Sequence, residues 1–350
     1  MNRFSRAFVV SLLSVLALVV PARARAEDKP SIIRFANPGV GVGNRPVVGG
    51  SAWNLAHIRG LFEQEFRKDG IEVRWSFLRG AGPAVNELFA NNLVDVAGLG
   101  DLPSVVGKSG GLKTRVLLAT GRGNLYIAVP SDSSIKTVQD LRGKKVGIFK
   151  GTATQLGADR ILASFGLSEH DLRAINVDTN TGKAAILTKD LDAIFGGSDL
   201  IALRDQGVAR IIFSTRGGDP KLQSNGSLVV AEDFLHKYPS IVKRIVRTLV
   251  LSAKWLAETD RTQVFQLWAK SGVPFSNFKE DFGGDDIKLR SSPVLDPYIV
   301  SSYKRAVEDS KRYGLLRNNF SVEEWFDPTI LNEVLKEEHL ENFWPVRPAP

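Results

Sequence analysis

From Ser31 onward the chain alternates short apolar runs with stretches of helical spacing. Residues 31–36 predict a strand. A glycine-rich loop follows from Pro38 to Gly50, and Ser51 stands where it can cap a helix running to about Phe66. Ile71, Val73, Trp75 and Phe77 alternate with Glu72, Arg74 and Ser76, the period-two pattern of a strand. Arg79-Gly80-Ala81-Gly82-Pro83 then turns into a helix to Asn91, with Pro83 suited to its first turn. A strand at 94–99, a helix from Leu102 and a strand at 115–119 complete this series. A second series has strands at 125–130 and 145–149, a short helix at 137–141, and a helix from Gln155 to Phe165. A strand–turn–helix at 191–206 and a strand at 210–214 close it. Residues 226–231 read as a strand. Beyond them the chain is helical, with Ile241, Ile245, Leu249, Ala253 and Leu256 on one stripe of a helix spanning 240–258.

Strands alternating with helices predict an α/β fold with mainly parallel sheets. The length allows two lobes, each with its own core. The compact arrangement has a first lobe over 27–122, interrupted by a second over 123–224. Residues 225–350 then return to the first lobe and add C-terminal helices. Two crossings between lobes imply a hinge and an interlobe cleft.

Two segments repeat one idea. Leu93 to Leu102 and Asp190 to Leu200 each carry an acidic residue (Asp95, Asp192), a short apolar run, glycine, and an Asp-Leu pair (Asp101–Leu102, Asp199–Leu200). Each predicts a strand whose glycine turn feeds a helix, leaving backbone N–H groups that favour anions. The same turn also serves as ordinary scaffolding. Lys150-Gly151-Thr152-Ala153-Thr154 is a third such turn, where two threonines either meet a ligand or simply cap the helix. At the expected lobe crossing, Arg122 is either a bidentate anion clamp or a solvated surface arginine. The Gly39–Gly50 loop matches no nucleotide-binding pattern; it reads as a loop bringing backbone close to a ligand, or as a mobile surface loop. Gly107-Lys108-Ser109-Gly110-Gly111 formally matches a nucleophile elbow. A helix precedes it and a strand follows, the reverse of what an elbow needs.

The first 26 residues read as a signal peptide. Arg3 and Arg6 precede an apolar run from Ala7 to Val20, too short for an ordinary membrane span, and Ala24-Arg25-Ala26 is a cleavage site. The expected mature chain is soluble and periplasmic, beginning at Glu27. Removing that segment takes away four arginines and no acidic residue, so the formal net charge falls from +8 to +4. Such a charge, without a basic cluster, argues against nucleic-acid binding. Cys is absent, and His57, His170, His236 and His339 lack metal-ligand spacing, so no metal or other cofactor is expected.

The run Arg79 to Pro83, then Leu93-Val94-Asp95, then Gly100-Asp101-Leu102-Pro103, resembles the "AGP … (I/V)D … GD-x-P" pattern of periplasmic aliphatic-sulfonate-binding proteins. These serve ATP-driven importers and are related to taurine and nitrate receptors. Ser134 to Gly147 resembles that family's "SPIKSVADLKGKKVA" stretch, and Lys150-Gly151-Thr152 its "KGS" turn. The resemblance implies a periplasmic-binding-protein type II fold, two α/β lobes with a double-crossover hinge. It implies a monomeric receptor that holds a small anionic organic ligand in the cleft and delivers it to an ABC permease in the inner membrane. Ligand contacts carried over by position are Ser51, Gly100, Asp101, Gly151, Thr152 and Thr154. Arg122, Gly197 and Ser198 join them from the chain's own pattern, with Trp53 as cover for the carbon tail.

Two features depart from the family. Gly196-Gly197-Ser198-Asp199 stands where members often have Trp-Asp-Pro, which removes an aromatic wall, and the 38–50 loop is long. Both point away from a small alkanesulfonate. The expected ligand is an organic sulfonate or sulfate ester, with nitrate, taurine or a pyrimidine as alternatives. Desulfinases and thiamine-pyrimidine synthases resemble the same fold but rely on cysteine; the absence of Cys argues against an enzyme.

Overall fold

The computed structural model describes residues 29–349, so the expected signal peptide lies outside the described residues. Among the described residues ten strands form two five-stranded sheets. In chain order they are β1 (Ile32–Asn37), β2 (Glu72–Phe77), β3 (Val96–Gly100), β4 (Thr114–Gly123), β5 (Tyr126–Pro130), β6 (Lys145–Ile148), β7 (Arg173–Asn176), β8 (Ala193–Gly196), β9 (Ala209–Ser214) and β10 (Ser224–Ala231). The sheets are ordered β2-β1-β3-β10-β4 and β7-β6-β8-β5-β9. In each, four strands share a direction and one opposes them, β10 in the first and β5 in the second. The reversed strand is in each case the one that follows a crossing between sheets.

Helices α1 (Ala52–Ile58), α2 (Leu61–Phe66), α3 (Ala81–Ala90) and α4 (Asp101–Ser109) accompany the first sheet. Helices α5 (Ala153–Ser164), α6 (Thr179–Leu187) and α7 (Leu200–Asp205) accompany the second. After β10 come α8 (Glu232–Lys237), α9 (Pro239–Glu258), α10 (Arg261–Trp268), α11 (Phe275–Asp281), α12 (Ile287–Arg290), α13 (Pro297–Arg312), α14 (Val322–Trp325) and α15 (Thr329–Glu337). The helix expected over 51–66 is broken at Gly60, which adopts φ 63° and separates α1 from α2. β7 and α6 were not expected. β7 is a four-residue edge strand with no buried position, and α6 buries only Gly182 and Ile186, so neither carries a strong apolar period. The α9 stripe is fully buried, as its spacing predicts.

The core beneath the first sheet centres on Phe35, Trp53, Phe62 and Trp75, whose rings meet at 4.7–5.9 Å. The three pairs that Phe35 makes are edge-to-face, a geometry that adds to the hydrophobic gain of burying the rings. Trp53 is 2% exposed, and its indole N–H donates to Asn37 Oδ1 at 3.1 Å. This corrects the expectation that Trp53 covers a ligand tail. Alanine at Gly98 would place Cβ 2.9 Å from the Trp53 ring, so the strand glycine is what admits the indole. No helix among the described residues is long and apolar enough to cross a membrane.

The chain passes between sheets at 124–125 and returns over 215–223. Asn124 Oδ1 accepts from Gln223 Nε2 at 2.8 Å and from Thr215 Oγ1 at 3.4 Å, joining the two crossings. Its amide donates to the carbonyl and carboxylate of Asp281, each at 3.1 Å. Asp281 also accepts from Tyr126 Oη at 2.7 Å and pairs with Arg290. Arg290 Nε reaches the Arg122 carbonyl at 3.2 Å. Crossings, α11 and α12 thus share one buried polar network.

Replacing Trp53 by alanine empties the centre of the aromatic core and leaves Asn37 without its donor. The expected cost is about 3–5 kcal/mol, read as a lowered denaturation midpoint. An unchanged midpoint would contradict a core role.

Candidate functional site

The second lobe contributes its turn first. Gly151 adopts φ 74°, and a Cβ there would lie 2.7 Å from Pro83 of the first lobe, so glycine is required twice over. Thr152 is 7% exposed and caps α5: its Oγ accepts from Thr154 N at 3.2 Å and donates to the Phe149 carbonyl at 2.6 Å. The first-turn N–H groups of a helix have no intrahelical acceptor. Here the Thr152 hydroxyl takes the Thr154 N–H and the Thr152 carbonyl the Gln155 N–H, and Thr152, Ala153 and Thr154 line the cleft.

The first lobe supplies Gly100, where a Cβ would stand 2.8 Å from that of Ala153. The two helix starts therefore approach closely across the interlobe boundary. Asp101, expected beside Gly100 as a ligand contact, is instead turned inward and 2% exposed. Its carboxylate accepts from Leu102 N at 2.9 Å and Asn225 N at 3.4 Å, and lies 3.5 Å from Arg160 of α5. Arg160 also pairs with Asp309 of α13 at 2.7 Å. Burial pushes the Asp101 carboxyl up and Arg160 opposes it. Asp101 is thus an interlobe tie.

A cavity of about 440 Å³ lies between the lobes. Of the expected residues it brings together Gly100, Arg122, Thr152, Thr154, Gly197 and Ser198. Gly151 packs on Pro83 behind the wall, Ser51 caps α1 by accepting from Asn54 N, and Trp53 is in the core. Gly49 and Gly50 line the cavity ahead of Ser51. Lining residues not named among the expected contacts include Arg79, Phe149, Asp178, Lys183, Asp199, Asp281 and Arg290, of which Arg79 and Asp199 belong to the sequence motifs. Asp178 follows the unrecognised β7, and Asp281 and Arg290 sit in a helical tail with no motif to mark them.

The lining charges pair off. Arg79 and Asp178 meet at 3.8 Å, Lys183 and Asp199 at 2.9 Å, and Arg290 holds Asp281. Arg79 follows β2 and Asp178 follows β7, the sheet edges remote from the crossings, so their pair spans the mouth opposite the hinge. Arg122 is left over: its Nε is buried without a partner. The cleft therefore holds one uncompensated positive charge and three paired carboxylates, a distribution that suits an anion.

The profile of the NMT1/THI5-like family matches residues 56–263, more than half of the chain. The chain belongs to the NMT1/THI5-like family. A Bacillus subtilis (strain 168) relative, provisionally named an aliphatic sulfonates-binding protein, is 27% identical over 207 residues, covering 58% of this chain and 61% of the relative. That match spans less than two thirds of the relative's length. The periplasmic sulfonate-binding protein SsuA of Methylobacillus flagellatus KT, again provisionally assigned to a sulfonate ABC transporter, superposes with a TM-score of 0.77 at 29% identity. The superposition covers 91% of this chain and 98% of that one. The alkanesulfonate-binding protein SsuA of Xanthomonas axonopodis pv. citri, bound to MOPS, has a TM-score of 0.69 at 22% identity, covering 86% and 99%. These are binding proteins, and their fold is the two-lobed α/β fold of this NMT1/THI5-like chain.

Within the family member described here, Arg160 is the cation of a buried interlobe triad. Its replacement by methionine strands Asp101 without a counter-charge and leaves Asp309 only the exposed Arg312, 3.5 Å away. A loss of about 3–5 kcal/mol is expected in denaturant unfolding at pH 7, shrinking in acid as the carboxyls take up protons. Unchanged stability at pH 7 would contradict the tie.

Proposed function

We propose that the protein is a periplasmic receptor of an ABC importer that binds an organic sulfonate or sulfate ester between its lobes. The observation that carries this reading is Arg122, the one lining cation among the described residues with no carboxylate partner, beside carboxylates that are each paired with a cation. A sulfonate stays ionised across physiological pH. It can take a charge-assisted bond from the Arg122 guanidinium and N–H groups from the start of α5, whose helix dipole favours negative charge. The sulfonate-binding relatives support the ligand class, and Gly197 and Ser198 complete the wall where the family often carries a bulkier residue.

In this reading residues 1–26 direct export and are removed, and the monomeric protein acts as two bodies. Residues 27–122 with 225–350 form one, and residues 123–224 the other. Ligand closes them about the crossings near 122–125 and 224–227. The closed form presents the ligand to an inner-membrane permease. The protein is a receptor and not an enzyme; it has no cysteine for the covalent chemistry of desulfinases.

Alkane- or arylsulfonates are expected to raise the melting temperature, while the matching amines do not. At a ligand concentration about 100 times Kd the gain is about 2.7 kcal/mol. Arg122→Gln is expected to weaken binding by about 10–100-fold, the worth of a hydrogen bond to a charged group, with the ligand-free melting temperature nearly unchanged. Calorimetry on the folded variant decides it. Stabilisation only by nitrate or a pyrimidine, or wild-type affinity in Arg122→Gln, would overturn the assignment.

A further inference from the structure

The loop over residues 38–50, which the sequence leaves open as mobile or ligand-facing, is packed down on the first lobe. A Cβ at Gly41 would lie 2.4 Å from the carbonyl oxygens of Ser271 and Val47. A Cβ at Gly49 would lie 2.8 Å from both the Phe278 ring and the Trp268 side chain. Only glycine lets the loop backbone settle this closely on the chain between the end of α10 and α11. Polar ties hold the loop at both ends. Asn37 Nδ2 donates to the Gly39 carbonyl at 3.3 Å, and Asn54 Nδ2 donates to that of Gly49 at 2.8 Å. Within the loop, the Gly41 N–H donates to the Arg45 carbonyl at 2.8 Å.

So placed, the loop lines the cavity with Pro38, glycines and three valines, Val40, Val42 and Val48. Val42 is 41% exposed; among the described residues it is the one strongly exposed large apolar side chain that lines the cleft. Phe278 and Phe282 continue this surface toward Arg122. Phe282 lies under the Arg290 guanidinium at 3.5 Å, and Arg290 Nε donates to the Arg122 carbonyl. Phe149 lines the cavity from the second lobe, and its carbonyl takes the Thr152 hydroxyl at the α5 turn. Apolar surface therefore runs from the anion end of the cleft to the loop.

We propose that this loop is a specificity wall: the cleft takes a sulfonate whose carbon body is large, uncharged and apolar, an aryl or long-chain alkyl group, and Val40, Val42 and Val48 cover that body. This rests on the functional reading above, in which Arg122 takes the sulfonate. Size, charge and wall chemistry agree. A cavity of about 440 Å³ has room for a ring or a long chain. Nitrate or methanesulfonate would leave most of the apolar wall in water. The lining carboxylates each hold a cation, so the ammonium of an aminosulfonate such as taurine meets no free counter-charge in the lining of the cavity. No loop residue in the lining offers a charged or polar side chain to a second head group. Removing apolar surface from water is favourable in proportion to its area. Affinity is therefore expected to grow with the carbon body, while the contacts to the sulfonate stay constant.

The test is calorimetric titration with methane-, butane-, hexane- and octanesulfonate and with taurine. In the wild type, Kd is expected to fall about three- to fourfold for each added methylene, on the order of a hundredfold from butane- to octanesulfonate. Taurine is expected to bind no better than methanesulfonate. The variant carrying Val40→Thr, Val42→Thr and Val48→Thr keeps the branched side-chain shape and puts a hydroxyl in place of one methyl at each position. In it the ratio of butane- to octanesulfonate Kd is expected to shrink severalfold. Val42→Thr alone, at the exposed position where folding is least at risk, is expected to shrink the same ratio by less. A wild type that binds methanesulfonate as tightly as octanesulfonate would overturn the wall and leave the sulfonate receptor standing. So would a folded triple variant with the wild-type ratio. If no sulfonate binds, the functional reading fails on its own, and a neutral probe still decides the wall. N-phenyl-1-naphthylamine is expected to emit more strongly, and at shorter wavelength, with the wild type than with the triple variant. Equal emission from the two overturns the wall.

Discussion

The two passages of the chain between sheets are joined by one side chain, Asn124. Its amide oxygen gathers Gln223 and Thr215 from the returning segment, and its nitrogen hands the connection to Asp281. That carboxylate is buried, and it is tolerable only because Arg290, Tyr126 and Asn124 satisfy it. Phe282 lies under the Arg290 guanidinium at 3.5 Å, which seals the pair from the core side. The same arginine holds the carbonyl of Arg122, so the groups that tie the crossings also set the backbone of the one unpaired cation in the cleft. The crossings and the cleft floor are not separate devices in this molecule. Asn124 at the crossings is linked to Arg122 through three contacts, by way of Asp281 and Arg290.

The proposed preference of the cleft for an anion rests on how the other lining ions are paired. Asp178 accepts from the N–H groups of Asn180 and Thr181 as it caps α6, and Asp199 holds Lys183. A cationic ligand would have to take one of these carboxylates from its partners. An anion gains Arg122 without breaking anything. The ties outside the cavity have a different task. Arg160 fixes α5 against α4 and α13, and Arg204 of α7 grips both oxygens of Glu280 on α11 at 2.7 Å. Together they set how far the lobes sit from each other around the space that the ligand would fill.

The local parts of this structure were legible in the sequence. Period-two and helical spacing, glycine turns and capping residues act over a few positions, and they placed β2, α3, β3, α5 and α9 within a few residues. Thr152 was readable as a cap for the same reason. What failed depended on partners far along the chain. Nothing near Asp101 announces Arg160, and nothing near Trp53 announces Asn37 or the Gly98 notch that admits its ring. Asp281 and Arg290 lie more than 150 residues from Arg122, and their value is that they meet there. β7 and α6 escaped because an edge strand with no buried position has no apolar pattern to read. Of the positions that the resemblance to sulfonate receptors carried over, Gly100, Thr152 and Thr154 line the interlobe cavity, while Asp101 is turned inward; Trp53, chosen from its chemistry as tail cover, is in the core.

Crystallography with a brominated probe reaches the central claim most directly. A crystal grown with 4-bromobenzenesulfonate should show a single strong bromine anomalous peak between the lobes. The sulfonate oxygens should lie within hydrogen-bond distance of Arg122 and the first-turn N–H groups of α5. A peak only on the outer surface, or an occupied cleft in which Arg122 points away from the sulfonate, would contradict the account.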